Sequence, residues 1–313
     1  MPEVITLGET MVMFSPETGG PLRGVRRFEK RLAGAESNTA IGLVRLGHSC
    51  GWISRVGDDE FGRFLVESIG GEGVDVSQVI FDHTAPTGIM FKELHSGSET
   101  RVTYYRKGSA ASRLGPEDMD PDYFQNARLV HVSGITPMIS PECRAAFFTM
   151  LDLAEKLGIP LSFDPNLRLK LGSAADYAAL IREVLPRTAV FLPGLAESRS
   201  IFGESGPEAL LDLFQSLGAQ ITALKLGAEG AWVADGDNHF QIPGFPTVQV
   251  ADPVGAGDAF AAGFLAGYLE GEPFEECGRM ACAMGALAVT TPGDYEGLPL
   301  RPEFDAWLKE QIQ

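Results

Sequence analysis

From residue 129 to the C-terminus, strand-like and helix-like segments alternate with few interruptions, and this alternation constrains the fold more than any other feature of the sequence. Short apolar runs at 129–133, 161–164, 189–192, 221–226 and 230–234 read as strands, and helical patterns cover 141–157 and 175–185. Three more helical patterns, near 258–269, 274–290 and 301–312, close the chain. Ser140-Pro141 provides a cap followed by proline at the first helical position, and Gly158 ends that helix. Strands that alternate with helices run parallel, with helices covering both faces, so the predicted class is α/β: a three-layer α/β/α core with a mostly parallel sheet. In such a sheet ligands sit beyond the carboxyl ends of the strands, and chemistry is sought there first.

The N-terminal part carries the same signals with two departures. Residues 4–7 read as a strand, and Ala40, Ile41, Leu43, Val44 and Leu46 form a helical stripe closed by Gly47. Between them, 11–33 is rich in Gly, Pro and Arg and is too long for a simple connector. A strand through Val56, a helix over 60–69 and a strand near Val79 follow. Two alternating stretches, 87–93 and 101–106, then flank a polar turn at His95-Ser96-Gly97-Ser98 and read as a hairpin. Hairpin and excursion together are expected to form a small sheet outside the main core, a lid built from about 11–33 and 87–106. The 313 residues suit one large α/β domain with that appendage, and no repeat at a fixed period is evident.

Charge sharpens what the site must do. The chain has 25 basic and 42 acidic side chains, a formal net charge of −17, so its surface repels nucleic acid and an anionic ligand has to be captured locally. Helix N-termini and a few focused cations are the available means. Cys50, Cys143, Cys277 and Cys282 show no C-x-x-C spacing and read as reduced, buried thiols. The start, Met1-Pro2-Glu3-Val4, lacks a basic and apolar leader, and no run of about 18 apolar residues occurs, so a cytoplasmic protein without membrane association is expected. The five histidines show no zinc-ligand spacing. Neither G-x-x-x-x-G-K-(S/T) nor a helix-opening G-x-G-x-x-G is present, which disfavours both common nucleotide-binding folds.

The sharpest local feature is Asp252-Pro253-Val254-Gly255-Ala256-Gly257-Asp258-Ala259-Phe260, leading into a small-residue helix. Two glycines at a helix start leave backbone N–H groups uncovered for a phosphate, and Asp258 in the same turn suits a base that takes a hydroxyl proton. Spacing alone equally describes a tight turn with an aspartate cap. A second glycine turn, Ala33-Gly34-Ala35-Glu36-Ser37-Asn38-Thr39-Ala40, opens the first helix, and by itself it too is a common cap. Phe163-Asp164-Pro165-Asn166-Leu167-Arg168 ends a buried strand, Leu192-Pro193-Gly194-Leu195-Ala196-Glu197 follows the next, and Lys225-Leu226-Gly227-Ala228-Glu229-Gly230-Ala231 joins two more.

Taken together these segments resemble, over essentially the whole chain, the ribokinase (PfkB) family of carbohydrate kinases, with nine consecutive positions at 252–260 matching its C-terminal signature. The resemblance implies a ribokinase-like, Rossmann-like core, ATP as phosphoryl donor and Mg²⁺. It makes Asp258 the base and Gly255, Ala256 and Gly257 the anion hole. Gly34 and Asn38 would touch sugar hydroxyls, and Asn166 and Arg168 match the family's D-x-N-x-R segment. Lys225, Gly227 and Gly230 would wall the nucleotide together with Gly255 and Gly257. Glu197 matches a glutamate that places Mg²⁺ through water, although Gly194 stands where relatives carry asparagine. Ala33 likewise replaces a common glycine. The 291–294 segment, with Gly293, falls where relatives line the adenine and a monovalent-cation site, which makes K⁺ a further candidate cofactor.

Within the family, Tyr104-Tyr105-Arg106-Lys107-Gly108-Ser109-Ala110 and Val132-Ser133-Gly134-Ile135-Thr136-Pro137 look like those of 2-keto-3-deoxygluconate kinases. Tyr104 and Arg106 share one strand face, and Arg106 with Arg168 would give a cationic fork for a sugar-acid carboxylate. A solvated arginine on a sheet edge explains Arg106 as well. The implied activity is ATP-dependent phosphorylation of a primary hydroxyl, turning 2-keto-3-deoxygluconate into its 6-phosphate. Fructokinase, ribokinase, nucleoside kinase and a non-catalytic sugar or nucleotide sensor are the alternatives. Relatives often pair through lid strands, so a homo-oligomer is expected.

Overall fold

The computed structural model describes residues 1–94, 100–203, 206–236, 238–246 and 249–311. The chain begins with β1 (Val4–Leu7), leaves the core for β2 (Met11–Pro16) and β3 (Phe28–Ala33), and returns through α1 (Ala35–Arg45) to β4 (Cys50–Gly57), α2 (Glu60–Gly71) and β5 (Val79–Asp82). A second departure forms β6 (Ile89–Leu94) and β7 (Thr100–Tyr105). The regular alternation then follows: β8 (Leu129–Ser133), α3 (Pro141–Leu157), β9 (Leu161–Asp164), α4 (Ala174–Val184), β10 (Val190–Phe191), α5 (Leu195–Phe202), α6 (Pro207–Ser216) and β11 (Ile221–Lys225). A meander of β12 (Gly230–Asp235) and β13 (Asn238–Pro243) precedes α7 (Ala256–Glu270), α8 (Phe274–Ala288) and α9 (Arg301–Gln311).

Among the described residues, nine strands form one sheet in the order β13-β12-β11-β10-β9-β8-β1-β4-β5. Its pairings are parallel from β5 through β11, and β12 and β13 add antiparallel strands at one edge. The chain winds one way from β1 to β4 and β5, and the other way from β8 onward, so the order reverses between β1 and β8. That reversal opens a crevice beyond the carboxyl ends of the central strands.

Successive side chains on each strand feed opposite layers. Val190 and Ala223 pack with α1, α2, α7, α8 and α9, while Phe191 and Leu224 pack with α3, α4 and α6. Helix α7 is buried almost all round from Ala259 to Gly267, which its continuous small and apolar sequence permits. Gly263 lets α8 come close, since a Cβ there would lie 2.6 Å from the Met280 carbonyl oxygen.

Among the described residues, four strands make a smaller sheet, ordered β3-β2-β6-β7, with β2 and β6 parallel and the outer pairs antiparallel. One face buries Met11, Met13, Ala33 and Met90 with Val102 and Tyr104 against them. Phe14, Phe28, Phe91 and Tyr105 form an aromatic cluster on this sheet, with Phe14 stacked on Phe91 at 5.1 Å.

The α/β class, the parallel sheet and the extra sheet agree with the sequence-based expectation. Three elements were not predicted: α5, α6 and β13. The strand expected at 189–192 spans two residues, the turn at His95-Ser96-Gly97-Ser98 lies outside the described residues, and so does Ile312. All four cysteines are buried free thiols. Among the described residues no helix is long and apolar enough to cross a membrane.

Candidate active site

The N-terminus of α7 sits beyond the strand ends. Gly255 caps it with φ +80°, and a Cβ there would lie 2.0 Å from the Asp294 carbonyl oxygen, so this position requires glycine on both counts. The first helix-internal N–H is that of Ala259, bonded to the Gly255 carbonyl at 2.8 Å. The N–H groups of Ala256, Gly257 and Asp258 thus lack helical acceptors and carry the positive end of the helix dipole. A Cβ on Gly257 would meet only the Lys225 ammonium, at 3.7 Å, so space lies open over this turn.

Asp258 is half-buried beside those amides. Asn38 Nδ2 donates to its Oδ2 at 2.8 Å, and the Thr39 hydroxyl donates to its backbone carbonyl at 3.4 Å. Both partners lie in α1, which Gly34 starts. A side chain at Gly34 would strike Thr10 Cα at 2.9 Å, so glycine lets the helix start against the loop after β1. Desolvation pushes the Asp258 carboxyl up to about 7, opposed by the Asn38 hydrogen bond; the Asp164 charge raises it further and Arg168 lowers it. An acid so poised holds or releases a proton near neutrality.

Behind this pair, the Lys225 ammonium at the end of β11 bonds Asp164 Oδ2 at 2.6 Å at the end of β9. Burial depresses Lys225, but Asp164 and Glu197 outweigh it and its pKa is raised. Glu197 accepts the Leu167 N–H at 3.1 Å and the Gly194 N–H at 3.3 Å, capping α5; burial raises its pKa against the pull of Lys225. Asn166 is the only non-glycine at positive φ, +41°, among the described residues, and its N–H donates to Asp164 Oδ1 at 3.0 Å. Next to it, the exposed Arg168 guanidinium donates to the Leu167 carbonyl at 3.1 Å.

A third group stands on the small sheet. Arg106 Nε donates to Glu9 Oε2 at 2.7 Å, and the Ser109 hydroxyl donates to Glu9 Oε1 at 2.7 Å. The Tyr104 ring lies 5.9 Å from the Arg106 guanidinium carbon and 5.2 Å from Lys170 Nζ. Tyr104, Arg106 and Lys170 line a cavity of about 680 Å³ between the small sheet and the loops after β8 and β9, together with Lys107, Met138 and Ser140. Asp258 and Asn38 do not line it.

The structure therefore brings Asn38 to Asp258, gathers Lys225, Glu197 and Asp164, and sets Tyr104 beside Arg106. Gly227 and Gly230 flank the turn from β11 to β12. Gly230 is accounted for by packing, since a Cβ would lie 2.1 Å from the Ile242 carbonyl oxygen on β13; a Cβ on Gly227 would meet nothing within 4 Å. Gly293 donates its N–H to Asp252 Oδ2 at 3.4 Å. Sequence reasoning passed over Glu9, Lys92, Asp252 and Asp294. Asp252 and Asp294 stood inside quoted segments, and the other two gave no local signal.

The residues fit a nucleotide triphosphate at the α7 N-terminus, where open amides and Lys225 face free space. Among the described residues no group of three His, Cys, Asp or Glu is placed to hold a metal ion, and Asp258 and Glu197 are the acids that flank Lys225 here. A free monovalent cation does not fit at Asp252, whose carboxylate already pairs with the Lys92 ammonium.

The family model described as pfkB family carbohydrate kinase matches residues 1–301. The chain is similar to 2-dehydro-3-deoxygluconokinase of Bacillus subtilis (strain 168), 40% identical over 313 residues, 99% of this chain and 96% of the relative. It is equally similar to 2-dehydro-3-deoxygluconokinase of Thermoproteus tenax, 40% identical over 316 residues, covering 99% and 95%. Among solved structures, a candidate ribokinase II from E. coli in complex with ATP and Mg²⁺ superposes with a TM-score of 0.91 at 26% identity, covering 99% of this chain and all of that one.

Proposed function

Since this chain belongs to the pfkB family of carbohydrate kinases, we propose that it transfers the γ-phosphoryl group of ATP to the terminal hydroxyl of 2-keto-3-deoxygluconate, giving the 6-phosphate and ADP. The observation that carries this reading is the Asp258 carboxylate, held by Asn38 beside the open amides of Ala256 and Gly257.

Each residue then has a task. Asp258 accepts the proton of the acceptor hydroxyl as its oxygen forms the new bond to phosphorus and the bond to the ADP oxygen breaks. The N–H groups of Ala256, Gly257 and Asp258 hold charge on the moving phosphoryl group, and the helix dipole adds to them. Lys225, kept cationic by Asp164 and Glu197, faces the same space. Mg²⁺ bound with the nucleotide supplies charge neutralisation on the phosphates, and Glu197 would orient its water.

For the acceptor, Arg168 is exposed and carries no ion pair among the described residues, which leaves its charge for a carboxylate. Arg106 is steadied by Glu9 and offers its remaining donors at the cavity edge. Gly34, Asn166 and Tyr104 would complete the acceptor wall, and the small sheet would serve as a lid. Four buried free thiols suit a reducing, cytoplasmic setting.

The test is a coupled ADP-release assay with 2-keto-3-deoxygluconate, fructose, ribose and adenosine at equal concentrations. Turnover confined to the sugar acid is expected. Brisk turnover with fructose or ribose and none with the sugar acid would overturn the acceptor, and no turnover with any would overturn the kinase reading.

A further inference from the structure

One buried ion pair joins the small sheet to the chain that enters the phosphoryl-binding turn. Lys92 lies on β6 two residues after Met90, so it shares the face of the small sheet that packs inward, and its side chain is only 5% exposed. Its ammonium pairs with Asp252 Oδ2. That same carboxylate accepts the Val254 N–H through Oδ1 at 3.3 Å and the Gly293 N–H through Oδ2 at 3.4 Å. Asp252 therefore ties three pieces together: the small sheet, the strand of chain entering the Gly255 turn, and the 291–294 segment whose Asp294 carbonyl presses on Gly255.

The grip is repeated from the edge strand β3 of the same sheet. Arg31 on β3 donates to the Pro292 carbonyl and pairs with Glu296 at 3.4 Å. From below, the N–H groups of Ala251 and Asp252 bond the Val289 carbonyl at the end of α8, at 2.8 and 3.3 Å. The turn that presents the open amides is thus anchored to the core on one side and to small-sheet cations on the other.

We propose that Lys92 is a positioning residue for phosphoryl transfer: it is a built-in cation that fixes Asp252 and the Gly255 turn, in place of any free monovalent ion. The inference rests on reading that turn as the phosphoryl site. A lysine ammonium carries the single charge such an ion would bring, and being tethered it needs no concentration in solution. Because the tether is a strand of the small sheet, lifting that sheet from the core breaks the pair. Cover over the acceptor and assembly of the anion hole are consequently one event.

Wild-type turnover is measured in potassium-free tetramethylammonium buffer and again with added KCl or NaCl. Equal rates are expected in all three, and a rise of about tenfold or more on adding K⁺, the scale of a 1.4 kcal/mol effect, would overturn the proposal. Lys92→Met is expected to lower kcat about 100-fold or more with acceptor KM little changed, as befits a carboxylate left buried without its partner. Binding of a non-hydrolysable ATP analogue, followed by calorimetry, is expected to weaken in parallel, and Lys92→Arg to restore most of both. A folded Lys92→Met protein with wild-type kcat and nucleotide affinity would overturn the proposal. If that variant does not fold, the cation dependence of the wild type decides alone. Absence of wild-type turnover with every acceptor would instead defeat the kinase reading, which separates the two failures.

Discussion

Asp258 is worth more as a base because of where it stands. Its carboxyl titrates near 7 since burial penalises the charge, and only the ionised form can take a hydroxyl proton. Turnover under kcat/KM conditions should rise with pH through about 7 and level off above it. Asn38 donates to the ionised carboxylate and so favours it; Asn38→Leu removes that support, and the midpoint should move to higher pH. A midpoint that stays or falls would show that another group governs the profile. Asp294 gives a matching stability test. It is buried, its Oδ1 lacks a hydrogen-bond partner among the described residues, and burial raises its carboxyl to about 7 from 3.8. The folded state thus holds a proton that the unfolded state has already released between these values, and its contribution to stability is lost as pH rises through about 7. Asp294→Asn mimics the neutral form, so its melting temperature should exceed that of the wild type at pH 8, with the gap narrowing steadily as pH falls toward about 4. Asp258 was legible because its turn carries a long motif. Its partner Asn38 lies 220 positions away, and only the packing of α1 on α7 brings them together.

At the level of elements, the two glycines of the α7 turn do different work. Gly255 serves the fold, since it holds a left-handed φ against a carbonyl, whereas Gly257 serves the ligand, since open space surrounds it. Gly255→Ala should cost more than about 1 kcal/mol in urea unfolding. Gly257→Ala should leave stability unchanged or slightly higher while kcat/KM collapses, because a methyl then occupies the phosphate's approach. Equal losses of stability in both would remove this distinction. The sequence showed the strands and long helices of the C-terminal half because buried parallel strands read as unbroken apolar runs. Helix α6 was missed although Pro207 at its first position and Leu210, Leu211 and Phe214 on one face announce it. Strand β13 is a mostly exposed edge strand with little apolar alternation, and α5 has only eight residues, so neither left a periodic signal.

At the scale of the molecule, the small sheet carries Phe14, Phe28, Phe91 and Tyr105 clustered on one face, where Phe14 also meets Phe61 of α2 at 5.7 Å and Tyr105 is 62% exposed. An aromatic group of this size at a sheet surface suits a partner, and a second copy of the chain is the expected one. Light scattering should give at least twice the monomer mass, with Tyr105→Glu shifting it toward monomer; a wild-type monomer at working concentration would exclude pairing. The departure of 11–33 and 87–106 from the alternation revealed that a second sheet existed, but not that Lys92 and Arg31 would reach from it into the turn before α7. Long-range ion pairs leave no periodic trace in a sequence. The claim on which all three scales converge is that Asp258 removes the acceptor proton. Its direct measurement pairs single-turnover ADP release with calorimetric binding of 2-keto-3-deoxygluconate and an ATP analogue, for wild type and Asp258→Asn. A fall in turnover of about 10²- to 10⁴-fold with both affinities retained is expected; an Asp258→Asn protein that turns over at the wild-type rate would contradict it.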